Sequence, residues 1–205
     1  MFSDVVDLFL RRGKIVPGVA KSWEQNGKVI TFHLRDNARW SDGSPVTAHD
    51  FVYAWRTLND PATAAPYAAI MYPIRNAQKI QKGELPVNDL GVKAIGDFTL
   101  QVELEGACGY CITVMNHSAF YPVNEKFHRA MAKSYGAEAD KLLYNGPFKL
   151  VKWVHGAEMT MVKNPDYWNA DTIALNELNI GYITEDNRTR LNLFRDGRIA
   201  LARMG

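Results

Sequence analysis

Cys108 and Cys111 stand in the stretch LEGACGYCITVMNH, residues 104–117, at the C-x-x-C spacing, and the chain has no other cysteine. Residues of this type and spacing serve three chemistries. A thiol–disulfide enzyme sets its first cysteine at the start of a helix, where the positive helix end lowers the thiolate pKa. The local order fits in outline: an apolar-alternating strand over 98–105, then Cys108, then helical turns through Met115. Yet that strand belongs to a hairpin and not to a βαβ unit, and no proline lies between the cysteines. A metal site is the second chemistry. Cys108, Cys111, His117 and His128 read C-x2-C-x5-H-x10-H, which matches none of the usual zinc-finger spacings. The third leaves two small, fairly apolar residues, disulfide-bonded where the compartment is oxidising. This last reading is preferred. Elsewhere there is no G-x-S-x-G elbow, no glycine-rich phosphate loop and no H-E-x-x-H pair, so no nucleophile or metal motif is left to place. No cofactor is implied.

The elements that must position these residues are hairpins and scattered helices. KVITFHLRD, 28–36, alternates Ile30, Phe32 and Leu34 against Val29, Thr31 and His33, the pattern of a strand with one apolar face. Asp42-Gly43 with Pro45 is turn chemistry. A helix then starts with Thr47 as N-cap and Asp50 completing a capping box, and Phe51, Trp55 and Leu58 form its apolar stripe, read as core. The stretch 59–73 cannot be one regular helix, because Pro66 interrupts it. Residues 92–105 form a hairpin around Gly96-Asp97, and 146–164 form another turning at His155-Gly156. A helix is expected over 124–136 with Asn124 as N-cap and Gly136 as its stop. A strand over 175–183 precedes a second helix over 184–199, capped at Thr184 and stopped at Gly197. Hairpins mixed with helices, without regular βαβ alternation, indicate a mixed α/β (α+β) chain.

Bulk properties exclude several classes. At 205 residues the chain can bury a real core. Its net charge of +2 supplies no broad field for gripping nucleic acid or anionic membrane. No stretch reaches the roughly 18 apolar residues of a membrane span. The opening MFSDVVDLFLRRGK lacks the order of a secretory signal, which leaves a cytosolic protein or one whose signal has been removed. Nine tyrosines, nine phenylalanines and five tryptophans provide rigid amphipathic surface for a core or a ligand cleft.

Several tracts, taken in order, resemble the family 5 extracellular solute-binding proteins, the oligopeptide receptors of ABC importers. They are IVPGVAKSWE (15–24), ITFHLRDNARWSDGSPVTAHDFVYAW (30–55), DPATAAPYA (60–68), LGVKAIGDFTLQVELE (90–105), YNGPFKLVKW (144–153), KNPDYWNA (163–170) and LFRDGRIALA (193–202). DPATAAPYA is similar to the oligopeptide branch in particular. The resemblance implies one lobe of a type II periplasmic-binding-protein-like fold, with β-hairpins and a mixed sheet packed by helices. It implies a single lobe over 1–205, with an inserted subdomain over 11–123 and part of a hinge-proximal subdomain over 124–205. The second ligand-binding lobe is expected to be absent, since members of the family run well beyond this length and this chain stops near their crossover.

The implied function is binding, not catalysis. Peptides are held between two lobes that close by hinge motion, their main chain bound much as an added strand would be. A full-length parent is expected to be a periplasmic or extracellular lipoprotein that hands peptides to an ABC permease. Tyr67, in APYA, matches the aromatic residue that lines the peptide site from this lobe. Arg203 and Met204 fall where the family's crossover strand touches ligand backbone, although the family favours Tyr-Asn-like residues there. Trp40, Trp55, Asn145, Gly146, Tyr167 and Trp168 are motif residues expected to be structural. Alone, the lobe is expected to bind peptides weakly or not at all, and to self-associate through an exposed apolar face that carries tyrosine. Two alternatives stand beside this: a thiol–disulfide oxidoreductase using Cys108 and Cys111, and a lobe-fold structural or interaction module without transport.

Overall fold

A computed structural model of the chain describes residues 6–9, 14–181 and 186–201. Its first sheet is the two-stranded antiparallel pair β1 (Val6–Phe9) and β2 (Lys14–Pro17). The second has four strands in the order β3-β4-β6-β5: β3 (Ala20–Asn26), β4 (Val29–Leu34), β5 (Val92–Ala94) and β6 (Thr99–Glu103). The third is β7 (Phe148–Val154), β8 (Glu158–Lys163) and β9 (Glu177–Ile180) in sequence order. Every pairing among the described strands is antiparallel, so the parallel pairing that a mixed sheet would include is not found among them. Most neighbours are joined by tight returns, and those need no crossover helix.

The alternation in β4 decides its orientation. Ile30, Phe32 and Leu34 are buried, while Val29, Thr31 and His33 remain part-exposed. Into the same core packs α1 (Ala48–Asn59), lying against β5 and β6, with its Phe51 and Trp55 fully buried. Trp55 meets Phe51 and Phe120 edge-on, with ring centroids 6.4 and 5.2 Å apart. Such pairs add about 0.5–1.5 kcal/mol each beyond the burial itself. The Trp55 indole N–H donates to the Phe120 carbonyl at 3.0 Å, so the buried ring keeps its one polar group satisfied.

The turn at 40–44 and the start of α1 behave as a unit. Gly43 sits at φ +84° and its N–H donates to the Trp40 carbonyl at 2.9 Å. Asp50, only 8% exposed, accepts from the Thr47 N–H at 2.8 Å and from the Trp40 indole at 3.3 Å. The capping box is thus also a bracket between turn and helix. Burial holds the Asp50 carboxyl above its ordinary pKa, against the pull of those hydrogen bonds.

A short helix, α2 (Ala77–Gln81), and the single turn α3 (Cys111–Val114) sit within the same core. The helix expected over 124–136 is shorter: α4 runs Glu125–Met131, with Asn124 accepting from the Phe127 N–H at 2.9 Å. Ala132 then takes φ +47°, and the reversal lays the Tyr135 ring against His128 at 4.6 Å. Tertiary packing ends this helix before Gly136 can. The last helix, α5 (Asn187–Arg195), is capped by Asp186, which accepts from the Arg188 and Thr189 N–H groups; Thr184, the expected cap, lies outside the described residues. Gly197 stops it at φ +68°.

Buried apolar residues fall into two clusters. The large one runs from Val19 to Leu143 and also takes in Trp168 from beyond β8. The small one, built on Tyr144, Leu150 and Met161, lies under the third sheet. Arg35 ties Trp168 to the start of β3: its guanidinium lies 3.7 Å over the Trp168 ring while its Nε donates to the Gly18 carbonyl. No described helix is long and apolar enough to cross a membrane.

Candidate functional site

The two cysteines are joined. The Cys108–Cys111 disulfide closes a four-residue ring, with the Cα atoms 5.6 Å apart. Cys111 is 2% exposed and Cys108 packs partly against the large core. It is Cys111, the more buried of the two, that opens α3, whereas a redox motif needs its accessible thiol there. The two histidines of the zinc pattern are engaged elsewhere. His117 Nδ1 accepts from the Ala119 N–H at 3.1 Å, and His128 Nδ1 pairs with the Tyr53 hydroxyl at 2.7 Å. The four residues therefore serve three separate structural purposes.

What the ring does is display Tyr110. That side chain, between Gly109 and Cys111, leaves 64% of its surface in solvent. Tyr67 is exposed to 66% and Tyr72 to 39%, on the segment joining α1 to α2. Tyr67 follows Pro66, which excludes a continuous helix, and precedes a 3-10 turn over Ala68–Met71 whose Ala68 and Met71 are buried. Those two anchors leave Tyr67 pointing outward, against the His117 ring at 5.6 Å between centroids.

The two tyrosine-bearing segments are brought together by backbone pairing. The Arg75 N–H donates to the Glu103 carbonyl at 2.9 Å and the Glu105 N–H to the Pro73 carbonyl at 2.8 Å, while Ile74 bridges Leu104. Residues 73–75 thus extend the strand ladder along 103–105. Tyr72 and Gly106 leave that ladder side by side. Between the diverging segments lies an open cleft of about 540 Å³. Ala69, Ile70, Tyr72 and Pro73 form one wall; Gly106, Ala107, Cys108, Tyr110 and Val114 form the other.

Of the sequence-predicted ligand residues, Tyr67 is exposed at the surface, while Arg203 and Met204 lie outside the described residues. Trp40, Trp55 and Asn145 are buried, and Tyr167 and Trp168 are part-buried and pack against each other at 5.4 Å. Sequence reasoning passed over Tyr72, Tyr110 and His117 as companions of Tyr67. The one available signal was Tyr110 itself, a large aromatic set between two cysteines.

Comparison with known proteins gives a consistent picture. The family described as bacterial extracellular solute-binding proteins, family 5 Middle, matches residues 14–204. The chain is 40% identical over 186 residues to the periplasmic oligopeptide-binding protein OppA of Salmonella typhimurium, covering 89% of this chain and 34% of that protein. It is 37% identical over 188 residues to the dipeptide-binding protein DppE of Bacillus subtilis, covering 91% of this chain and 34% of that one. Among solved structures, the substrate-binding domain of an oligopeptide ABC transporter from Bacillus anthracis superposes with a TM-score of 0.92 at 43% identity, over 97% of this chain and 38% of that one. Haemophilus influenzae OppA in complex with RPPGFSPFR superposes with a TM-score of 0.92 at 35% identity, over 97% of this chain and 39% of that one. The chain spans about a third of the length of the curated relatives it matches.

Proposed function

The chain belongs to the bacterial extracellular solute-binding proteins, family 5, and we propose that it forms part of the peptide-binding lobe of an oligopeptide receptor of an ABC importer. The family is one of binding proteins and not of enzymes. The observation that carries the proposal is Tyr67. An aromatic side chain left two-thirds in water, fixed by two buried neighbours and backed by His117, costs apolar exposure that packing does not explain. A rigid amphipathic ring so placed suits a peptide main chain passing over it. The relatives OppA and DppE are named for oligopeptide and dipeptide binding, which supports the ligand class.

On this reading the chain provides one wall of the site. Residues 11–123 form an inserted subdomain and 124–205 belong to a hinge-proximal one, and a second lobe closes over the peptide. Arg203 and Met204 are assigned to the ligand backbone by the resemblance alone. The working receptor is periplasmic, as several relatives are by name, and delivers its peptide to a permease. The chain by itself offers half of a clamp, so its affinity for peptides is low and its tyrosine-bearing face is prone to self-association.

Calorimetric titration of tripeptides tests this, with the chain alone and with the complementary lobe of a close relative added. Binding that needs the added lobe, and that weakens in Tyr67→Ala, is the expected result. Micromolar binding by the chain alone overturns the half-clamp part. Full affinity in Tyr67→Ala with the lobe present removes Tyr67 from the site.

A further inference from the structure

Tyr110 and Tyr72 both line the cleft, together with Ala69, Ile70, Ala107 and Val114. We infer that this cleft is a side-chain subsite for a large apolar residue, above all an aromatic one, of a peptide whose main chain passes Tyr67. The inference rests on the peptide-receptor reading of the chain. Four observations carry it.

The lining side chains are alkyl and phenolic with the Cys108 disulfide sulfur, and none is charged, so a charged occupant would be desolvated without a partner. A volume of about 540 Å³ lies within the range of ligand pockets, with room for one ring and its linking methylene. Two tyrosine rings allow the offset or edge-on contacts that aromatic groups prefer, at low cost in side-chain entropy. Finally, the cleft shares its two chain segments with the Tyr67–His117 pair. Tyr67 lies two residues before Ala69, and its partner His117 three residues after Val114, so the same two segments build both.

The disulfide gives the subsite its rigidity. Closing 108–111 into a ring fixes the turn that displays Tyr110, which an open Gly109-containing loop would leave free to sample other positions. A pre-ordered wall loses less entropy when the ligand arrives. The cysteines that looked like a redox centre thus become a positioning device for a binding aromatic.

The test uses the oxidised, 15N-labelled chain and two probes, N-acetyl-phenylalanine amide and N-acetyl-alanine amide, followed by amide chemical shifts. The phenylalanine probe is expected to shift the amides of Ala69, Ile70, Ala107 and Val114 with a millimolar Kd, and the alanine probe is expected to leave them unmoved. Tyr110→Ala, a change at an exposed position, is expected to weaken the phenylalanine probe about fivefold to tenfold. Dithiothreitol should weaken it in the same direction, as it transfers two electrons and two protons to the Cys108–Cys111 bond and leaves as its own cyclic disulfide. Equal shifts with both probes, shifts located elsewhere, or equal affinity in oxidised, reduced and Tyr110→Ala protein would overturn the subsite. Shifts of the cleft amides with protein concentration alone would assign the cleft to a second copy of the chain and overturn it too. Lys-Phe-Lys and Lys-Ala-Lys separate this failure from failure of the receptor reading. If both peptides move the Tyr67 amide equally and the cleft stays silent, the subsite falls and the receptor reading stands. If the phenylalanine probe fills the cleft but neither peptide moves Tyr67 even with the complementary lobe of a close relative added, the receptor reading falls and an aromatic-ring site remains.

Discussion

Reducing the Cys108–Cys111 bond removes one constraint and little else, which makes its effect calculable. Both sulfurs pack against the large core, Cys111 at 2% exposure, so two thiols retain the same apolar surroundings. The change is then in the unfolded chain, where a closed ring of only four residues excludes few conformations. The loop-entropy relation gives about 2 kcal/mol for so small a ring, against about 3 for one of fifteen residues. For a chain of this size each kcal/mol moves Tm by about 2–4 °C, so reduction should lower Tm by about 4–8 °C. The assay is urea and thermal unfolding of one preparation with and without a phosphine reductant, alongside a free-thiol count that reads zero before reduction and two after. Replacing both cysteines by alanine should cost about 1 kcal/mol more, since sulfur atoms leave the core. A loss on reduction above about 4 kcal/mol would refute the entropic account, because the segment after β6 would then dock only when the ring is closed. A loss below about 0.5 kcal/mol, with the thiol count confirming reduction, would mean that the ring constrains the unfolded chain hardly at all.

Three further outcomes follow from named contacts. Asp50→Ala strands the buried Trp40 indole N–H and the Thr47 N–H and should cost about 3 kcal/mol in urea unfolding, whereas Asp50→Asn keeps an acceptor and should cost under about 1. Because burial raises the Asp50 pKa, its contribution is fully present below its unfolded value of 3.8 and declines as pH rises through the raised folded value. Stability should therefore fall more over that range in the wild type than in Asp50→Asn, and parallel pH profiles would refute the assignment. His128 is held below its ordinary pKa by burial and then by the neighbouring Arg129, with the Tyr53 hydroxyl and Tyr135 ring facing it. Its contribution is present above pH 6.5 and lost as pH falls through the folded value, so an NMR titration should place its midpoint below 6.5 and His128→Gln should flatten the acid limb of the stability profile. In Gly91→Ala the new Cβ would stand 2.6 Å from the Glu103 carbonyl oxygen and 2.8 Å from Arg75 Cβ, costing about 2 kcal/mol; a loss under about 0.5 would show that the 73–75 and 103–105 pairing yields easily.

Where a feature depends on near neighbours in sequence, the residues announced it. The period-two pattern of β4, the Asp42-Gly43 turn, the Thr47–Asp50 start of α1 and the glycine turns at 96 and 156 each rest on interactions spanning a few residues, and each is in place. The early end of α4 has a long-range cause. NEKFHRAMAKSYG is a continuous run of residues that tolerate helix, so nothing local stops it at Met131. What stops it is Tyr135 turning back onto His128, itself bonded to Tyr53 in α1, a contact between residues 75 apart. At the last helix, the expected cap Thr184 lies outside the described residues. Asp186 accepts two backbone N–H groups there, and α5 starts from it.

The site was harder to see because its parts are about forty to fifty residues apart and only the sheet relates them. Tyr67 and Tyr72 precede the ladder contact at 73–75, and Tyr110 and His117 follow its partner at 103–105. Neither tract shows an aromatic cluster by itself, and residues 73–75 must pair with 103–105 before the two sets come together. This also explains why the C-x-x-C spacing misleads. Read along the chain, two cysteines three apart suggest a reactive pair, because sequence gives spacing and not accessibility. In the fold the second cysteine is buried, its bond closes the smallest loop at the end of the ladder, and the exposed group is the tyrosine held between them. A bond that contributes only about 2 kcal/mol to stability can still fix an exposed ring, since holding one loop in place is a smaller task than holding a core. The feature most suggestive of chemistry therefore serves recognition by limiting motion, at the place where the two halves of the cleft diverge.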